Sequence, residues 1–338
     1  MKRLVALLLA LAVADALLTL YAIARGPFPL QVPVGPPTAY LSIYIHVPIA
    51  WASYILFTAS LVSAILLLSR GRMDLDRYVY SFALVGLVFA GLTLLTGSIW
   101  AKDSWGSYWN WDPRQTGVLL LFIAYAAYIA LRHSISDPER AVRVSASYSI
   151  AAYVMVPLSF IAVRIAESLH PTPEDTRVFF SRPEVLQIFG VKALLVPAIG
   201  FLASIALARA RGGRSLGGLP PAAYLAPLAV AAIGVAGAAQ ILVDYTSPTF
   251  VVVNATLVGG RIAELTLSDG SRMSFNPPMD PPLEPPVTSE GRPSIVSHIV
   301  SLDGGLEIVV SWTVAANTLI YSLGVALLLA GILRRVRG

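Results

Sequence analysis

Eight mostly apolar stretches divide this chain, near residues 4–24, 45–69, 78–100, 115–132, 143–165, 185–208, 220–243 and 311–333. Each approaches or exceeds the roughly 20 residues that carry an α-helix across the hydrocarbon core of a bilayer. In lipid the backbone must satisfy its own hydrogen bonds, so such runs become helices. The rest of the composition agrees: 56% of the 338 residues are hydrophobic and 13% are charged, where an average soluble domain carries about 25% charge. The predicted class is an all-α polytopic membrane protein. Cysteine is absent, which removes disulfides, thiolate metal sites and thiol nucleophiles. The net charge of +5 does not argue for nucleic acid, because the basic residues gather at the ends of the apolar runs.

That gathering sets an expected orientation. Lys2, Arg3, Arg70, Arg72, Arg77, Arg132, Arg140, Arg143, Arg209, Arg211, Arg214, Arg334, Arg335 and Arg337 all fall on one side, in short connections and tails. By the positive-inside rule this side is cytoplasmic, and an even number of spans puts both termini there. The first run, MKRLVALLLALAVADALL, starts like a signal peptide, but no clean small-x-small cleavage site follows. It reads as a retained helix. The expected domains are a six-helix core over 1–215 with an aromatic loop at 100–114, a seventh helix within 216–243, an insert over 244–310, and an eighth helix with a basic tail over 311–338. The insert alternates β-branched and polar residues around Gly-Gly and Asp-Gly breaks, which predicts a small β-rich extracytoplasmic unit of short hairpins. Its stretch NPPMDPPLEPPV must be extended and cannot serve as a central strand.

On the outer side lies WGSYWNWDPRQTG, residues 105–117. Trp105 and Trp109 are four apart, as are Tyr108 and Asp112, so a helical turn here would give each pair one face. Asp112-Pro113 reads as the N-cap and first-turn proline of the fourth span, and Arg114 then stands at the membrane surface, where a guanidinium can grip a carboxylate. An interfacial aromatic belt with a capped helix start explains any two of these residues. It does not explain Trp100, Trp105, Tyr108, Trp109 and Trp111 concentrated in one short loop; a platform for a flat ligand does. Of the four histidines, His46 opens the second span and His170 follows the fifth, both on the side of this loop. Taken singly, each also reads as an interfacial histidine bonded to backbone. Together, two neutral imidazoles across an aromatic surface suit the iron of a six-coordinate haem.

The segment TGSIWAKDSWGSYWNWDPRQTG resembles the WWD signature of haem-handling proteins in cytochrome c biogenesis, whose branches include CcmC, CcmF and CcsA. IHVPIAW resembles the segment that carries the first ligand histidine of the haem exporter protein C (CcmC) family, RHSISDPERAVR its next connection, and VPLSFIAVRIAESLHP the context of its second ligand histidine. The resemblance implies His46 and His170 as axial ligands, with Trp105, Trp109, Trp111 and Asp112 holding the macrocycle and Arg114 on a propionate. It implies haem b as the ligand, presented on the extracytoplasmic face of the cell membrane for transfer to a CcmE-type haem chaperone. It also implies a partner ATP-binding-cassette complex of CcmA/CcmB type, since no P-loop occurs in this chain. Such a protein is a binder and deliverer rather than an enzyme. Two spans and the insert exceed the usual CcmC length. The eight-span count resembles that of a CcsA-like cytochrome c haem lyase, the alternative, although such synthetases carry extra histidines within spans and this chain has none.

Overall fold

The computed structural model of the protein describes residues 1–27, 37–170, 177, 180–212, 221–246, 252–259, 261–267, 272–279, 296–302, 305–310 and 313–337. Nine long helices dominate the described residues: α1 (Lys2–Arg25), α2 (Ile43–Arg70), α3 (Asp76–Trp105), α4 (Pro113–Ser134), α5 (Pro138–Ala152), α6 (Met155–Ile165), α7 (Pro183–Arg211), α8 (Ala226–Thr246) and α9 (Thr313–Arg337). Local chemistry sets their limits. Gly71 (φ 62°) and Gly106 (φ 79°) end α2 and α3 in the left-handed region, as C-terminal glycines do. Asp112 and Asp137 cap α4 and α5, each followed by proline at the first helical position, where the missing N–H costs nothing. The fifth span is broken at Tyr153 and Val154 between α5 and α6. Pro157 stands four residues after Tyr153 and can neither donate to its carbonyl nor avoid crowding it.

Seven segments are long and apolar enough to cross a membrane among the described residues: Lys2–Ala24, Ala39–Arg70, Met73–Trp105, Pro113–Ser134, Pro138–Ile165, Pro183–Arg211 and Thr313–Val336. A shorter apolar helix covers Ala223–Ala239. The protein is therefore an α-helical multi-pass membrane protein. The α2–α3 pair is central. On one flank it packs with α1, α7 and α9 around Ile45, Ile49, Phe89, Val196 and Leu329, with α8 packed in turn on α1 and α9; on the other it packs with α4, α5 and α6 around Phe57, Tyr80, Leu121 and Tyr125. Lipid offers little hydrophobic drive for helix association, so close contact of small residues matters more. Gly117 of α4 illustrates this, since a Cβ there would lie 3.0 Å from Ser159 Cα of α6.

Contacts identify the two ends of the bundle. At one, Arg132 pairs with Asp76 at 2.7 Å, Arg211 covers the Tyr80 ring, and Tyr80 Oη lies 3.2 Å from His133 Nε2. At the other, Tyr44 donates to the Pro27 carbonyl, Asn317 donates to Ser42, and Thr313 donates to Asp103. The basic helix ends share the first end, and the connection 106–112 is at the second.

Residues between α8 and α9 form five strands: β1 (Val252–Val258), β2 (Arg261–Leu267), β3 (Arg272–Met279), β4 (Val296–Leu302) and β5 (Gly305–Val310). They pair antiparallel in the order β3-β2-β1-β5-β4. Pro277 and Pro278 lie in β3, an edge strand, where a missing N–H breaks no ladder on the open side. β4 packs on the 3₁₀ turn Pro37–Ser42 that leads into α2, so the sheet adjoins the second end.

Candidate functional site

Four chain segments meet at this end: the first turn of α2, the last turns of α3, the connection into α4, and the segment leaving α6. His46 is the fourth residue of α2, and its Nδ1 lies 2.9 Å from Thr96 Oγ1 of α3. The Thr96 hydroxyl hydrogen is already given to the Leu92 carbonyl at 2.8 Å. Thr96 therefore accepts from His46 Nδ1–H, which leaves Nε2 as the ring's lone-pair nitrogen. The ring is hemmed in as well as bonded. A Cβ on Gly97 would come 2.7 Å from His46 Cε1, and Trp100 meets the imidazole edge-on at 5.8 Å between centroids. Trp100 also meets Tyr40 edge-on, and its Nε1 is buried without a hydrogen-bond partner among the described residues.

α3 continues to Trp105 before Gly106 ends it. Trp100 and Trp105 thus belong to a helix, not to the loop in which the sequence reading placed them. Residues 106–112 are not helical, so the expected one-face pairing of Trp105 with Trp109, and of Tyr108 with Asp112, does not form. Side-chain bonds shape this connection instead: Ser107 Oγ donates to the Trp109 carbonyl, Asn110 Nδ2 donates to Ser107, and the Asn110 amide donates to Gln115. Trp105 contacts His170 edge-on at 4.8 Å, and Trp109 contacts Trp111 edge-on at 5.7 Å. Trp111 has φ 55° and is 72% exposed. Left-handed backbone at a bulky residue costs free energy, here with an indole left in the open. Tyr108 is exposed, with Lys102 beside its ring.

Asp112 joins two halves of the site. As N-cap it accepts from the amides of Arg114 (2.9 Å) and Gln115 (3.3 Å). Its other bonds run to the segment after α6: His170 Nδ1 at 2.7 Å, Ser168 Oγ at 2.6 Å and the Leu169 amide at 2.7 Å. Burial alone would raise its pKa, but the bonds from His170 and Ser168 hold the carboxyl well below the usual range. Burial also draws His170 below its usual value, outweighing the carboxylate beside it. With Nδ1 facing this carboxylate at 2.7 Å it is Nδ1 that carries the donated hydrogen, and Nε2 is the nitrogen left for another partner. Among the described residues neither histidine's Nε2 has a hydrogen-bond partner.

Arg114 completes the set. Its guanidinium carbon lies 5.3 Å over the Phe160 ring, its Nε is buried and unpartnered among the described residues, and it is within electrostatic reach of both histidines, as His170 is of His46. His133 is elsewhere: it ends α4, whose 22 residues span about 33 Å from the Asp112 cap. His298 lies in β4 opposite Val309. Sequence reasoning missed Thr96, Gly97, Ser168, Gln115 and Phe160. The available signal was spacing, since Thr96 and Gly97 precede Trp100 by one helical turn and Ser168 precedes His170 by two residues.

Chemically, two imidazoles cannot by themselves complete a bare-ion site, and no cluster of three or more metal-ligating side chains occurs among the described residues. A tetrapyrrole brings four donors of its own and needs two axial ligands, aromatic walls and a cation for its carboxylates. The residues present fit that group.

The sequence profile of the family described as Heme exporter protein C (CcmC) matches residues 2–214. The chain belongs to the heme exporter protein C family. Individual members are similar over shorter stretches. Heme exporter protein C of Bradyrhizobium diazoefficiens is 35% identical over 127 residues, 38% of this chain and 48% of that protein. The Rhodobacter capsulatus member is 30% identical over 162 residues, covering 46% and 67%. The Escherichia coli member is 33% identical over 132 residues, covering 39% and 54%. The matched part thus spans about half to two thirds of these relatives. The match to the family ends near the close of α7, so α8, the sheet and α9 lie beyond it.

Proposed function

We propose that this protein binds haem b at the α2, α3, α4 and α6 end of the bundle and presents it for transfer during c-type cytochrome maturation. His46 and His170 are the axial ligands. Trp100, Trp105, Tyr108, Trp109 and Trp111 wall the macrocycle, Asp112 holds the loop to His170, and Arg114 takes a propionate. The observation that carries this reading is the matched pair of imidazoles, each with Nδ1 committed and Nε2 uncommitted, from segments far apart in the chain. Haem is the cargo, and the protein's own work is to hold, orient and shield it.

The receiver is a CcmE-type haem chaperone, and an ATP-binding-cassette complex of CcmA/CcmB type supplies any work. The site faces the extracytoplasmic side. The cluster of Arg77, Arg132, Arg140, Arg143, Arg209 and Arg211 at the opposite end supports this by the positive-inside rule, with both termini cytoplasmic. A CcsA-like lyase is less well supported: His46, His133 and His170 stand at helix ends or beyond them, and no histidine lies at mid-span.

Absorption spectra of the purified full-length protein test the assignment. A low-spin bis-histidine spectrum is expected, lost in the His46→Ala/His170→Ala double variant. An unchanged spectrum in that variant would sink the ligand assignment. Thioether formation on a CxxCH peptide without a chaperone would favour the lyase.

A further inference from the structure

The two ligand histidines are held by groups of different kind. His170 donates to a buried carboxylate that is fixed by four other donors: the amides of Arg114, Gln115 and Leu169, and the Ser168 hydroxyl. His46 donates to a neutral hydroxyl whose own hydrogen is committed to the Leu92 carbonyl. A carboxylate behind a ligating imidazole raises the basicity of its metal-binding nitrogen. A bond to an ionised acceptor is also roughly twice as strong as one between neutral groups. The rings differ in setting too: His46 is wedged on a continuous helix between Gly97 and Trp100, while His170 lies on non-helical chain that Asp112 ties to the start of α4.

From this asymmetry we infer that the axial ligands are unequal by design of their partners: Asp112 makes His170 the retained ligand, and Thr96 leaves His46 as the one that lets go first when haem is handed over. The inference rests on haem being bound by these two histidines. Asp112 and Thr96 act through the ligands and are positioning residues. Handover then begins on the α2 side, where the sheet packs on the turn leading to His46, and proceeds with haem still tethered through His170. In this first step one iron–nitrogen bond, to His46, is exchanged for a bond to the incoming ligand; release from His170 follows and completes the transfer.

Carbon monoxide, which displaces one axial ligand from ferrous haem, is the probe. The haem-loaded full chain is treated with carbon monoxide and photolysed, and the iron–histidine stretching band of the ligand that stays is read by resonance Raman. The band should move to lower frequency in Asp112→Asn and stay in place in Thr96→Val. Asparagine still caps a helix, so α4 is preserved. A band that moves in Thr96→Val alone, in both variants equally or in neither overturns the inference. Failure to find any six-coordinate haem defeats the haem reading instead, which separates the two outcomes. A second pair of variants covers loss of fold. His46→Gly should keep five-coordinate haem that added imidazole returns to low spin, whereas His170→Gly should retain less haem than His46→Gly, by at least the roughly tenfold that losing a second-shell partner alone costs. The reverse order refutes the proposal.

Discussion

Asp15, Thr19, Lys192 and Tyr321 lie in the middle of the bundle, and His46, Trp100, Arg114 and His170 lie at one end; both groups are polar clusters among apolar helices. In the first, every polar atom is answered. Lys192 Nζ bonds Asp15 Oδ1 at 2.8 Å and also the Thr19 hydroxyl, Tyr321 donates to Asp15 Oδ2, and Thr19 donates to the Asp15 carbonyl. Lys192 is fully buried and stands over the Tyr321 ring. In the second, Trp100 Nε1 and Arg114 Nε are buried without partners, and both imidazole Nε2 atoms are uncommitted among the described residues. Single unpartnered groups such as Ser81 and Tyr128 occur elsewhere, but four converge here. A closed cluster supports helix arrangement: α1, α7 and α9 are locked by one ion pair and its hydrogen bonds. An open one, with a strained and exposed Trp111 beside it, is built to be completed by something else. Ionisable groups inside a membrane are expensive, so the two clusters are two ways of meeting that cost.

The largest expected effect comes from opening the closed cluster. Lys192→Met leaves Asp15 as an unpaired buried carboxylate, which costs about 3–5 kcal/mol when a buried pair is broken on one side. Thermal unfolding in detergent should show a large drop. The double change Asp15→Leu/Lys192→Met should recover most of it, and failure to recover would mean the cluster has a role beyond packing. The open cluster should respond in the opposite manner: His46→Ala/His170→Ala is expected to abolish low-spin haem while the melting temperature of the haem-free protein stays within a few degrees. A collapse in stability there would show that those side chains are structural.

Substitutions around the ligands should have intermediate effects. Trp109→Ala is expected to weaken haem retention by about 1–3 kcal/mol, by analogy with aromatic stacking platforms, with no change in ligand set. Arg114→Ala should act the same way, read as haem content after size-exclusion washing. Unchanged haem content with misfolding in either case would favour an ordinary aromatic belt and capped helix. The smallest effect belongs to His133→Ala at the opposite end. It removes a single bond to the Tyr80 hydroxyl, worth about 1 kcal/mol, and should leave the haem spectrum as it is.

Much of this architecture is written locally. Leu- and Ala-rich runs of bilayer length, basic residues at one set of their ends, and Asp112-Pro113 before a helix carry their meaning within a few residues, because helix formation in lipid and N-capping are local events. For the same reason His46 and His170 could be placed at the same membrane face from span parity alone. The tertiary structure decided what lies beyond that range. It extended α3 through Trp105 and so moved two tryptophans from loop to helix, since packing of α3 against its neighbours outweighs the preference of interfacial indoles for a connection. It joined Asp112 to His170 across 58 positions and Lys192 to Asp15 across 177. Periodicity reports which face of a helix is apolar, but not which partner that face meets. Hydrogen bonds between helices depend on rotation and crossing geometry set by the whole bundle. The sequence by itself therefore determined a multi-pass helical protein with two histidines at one face. Only the fold decided that each would have its Nδ1 taken and its Nε2 left open, one by a carboxylate and the other by a hydroxyl.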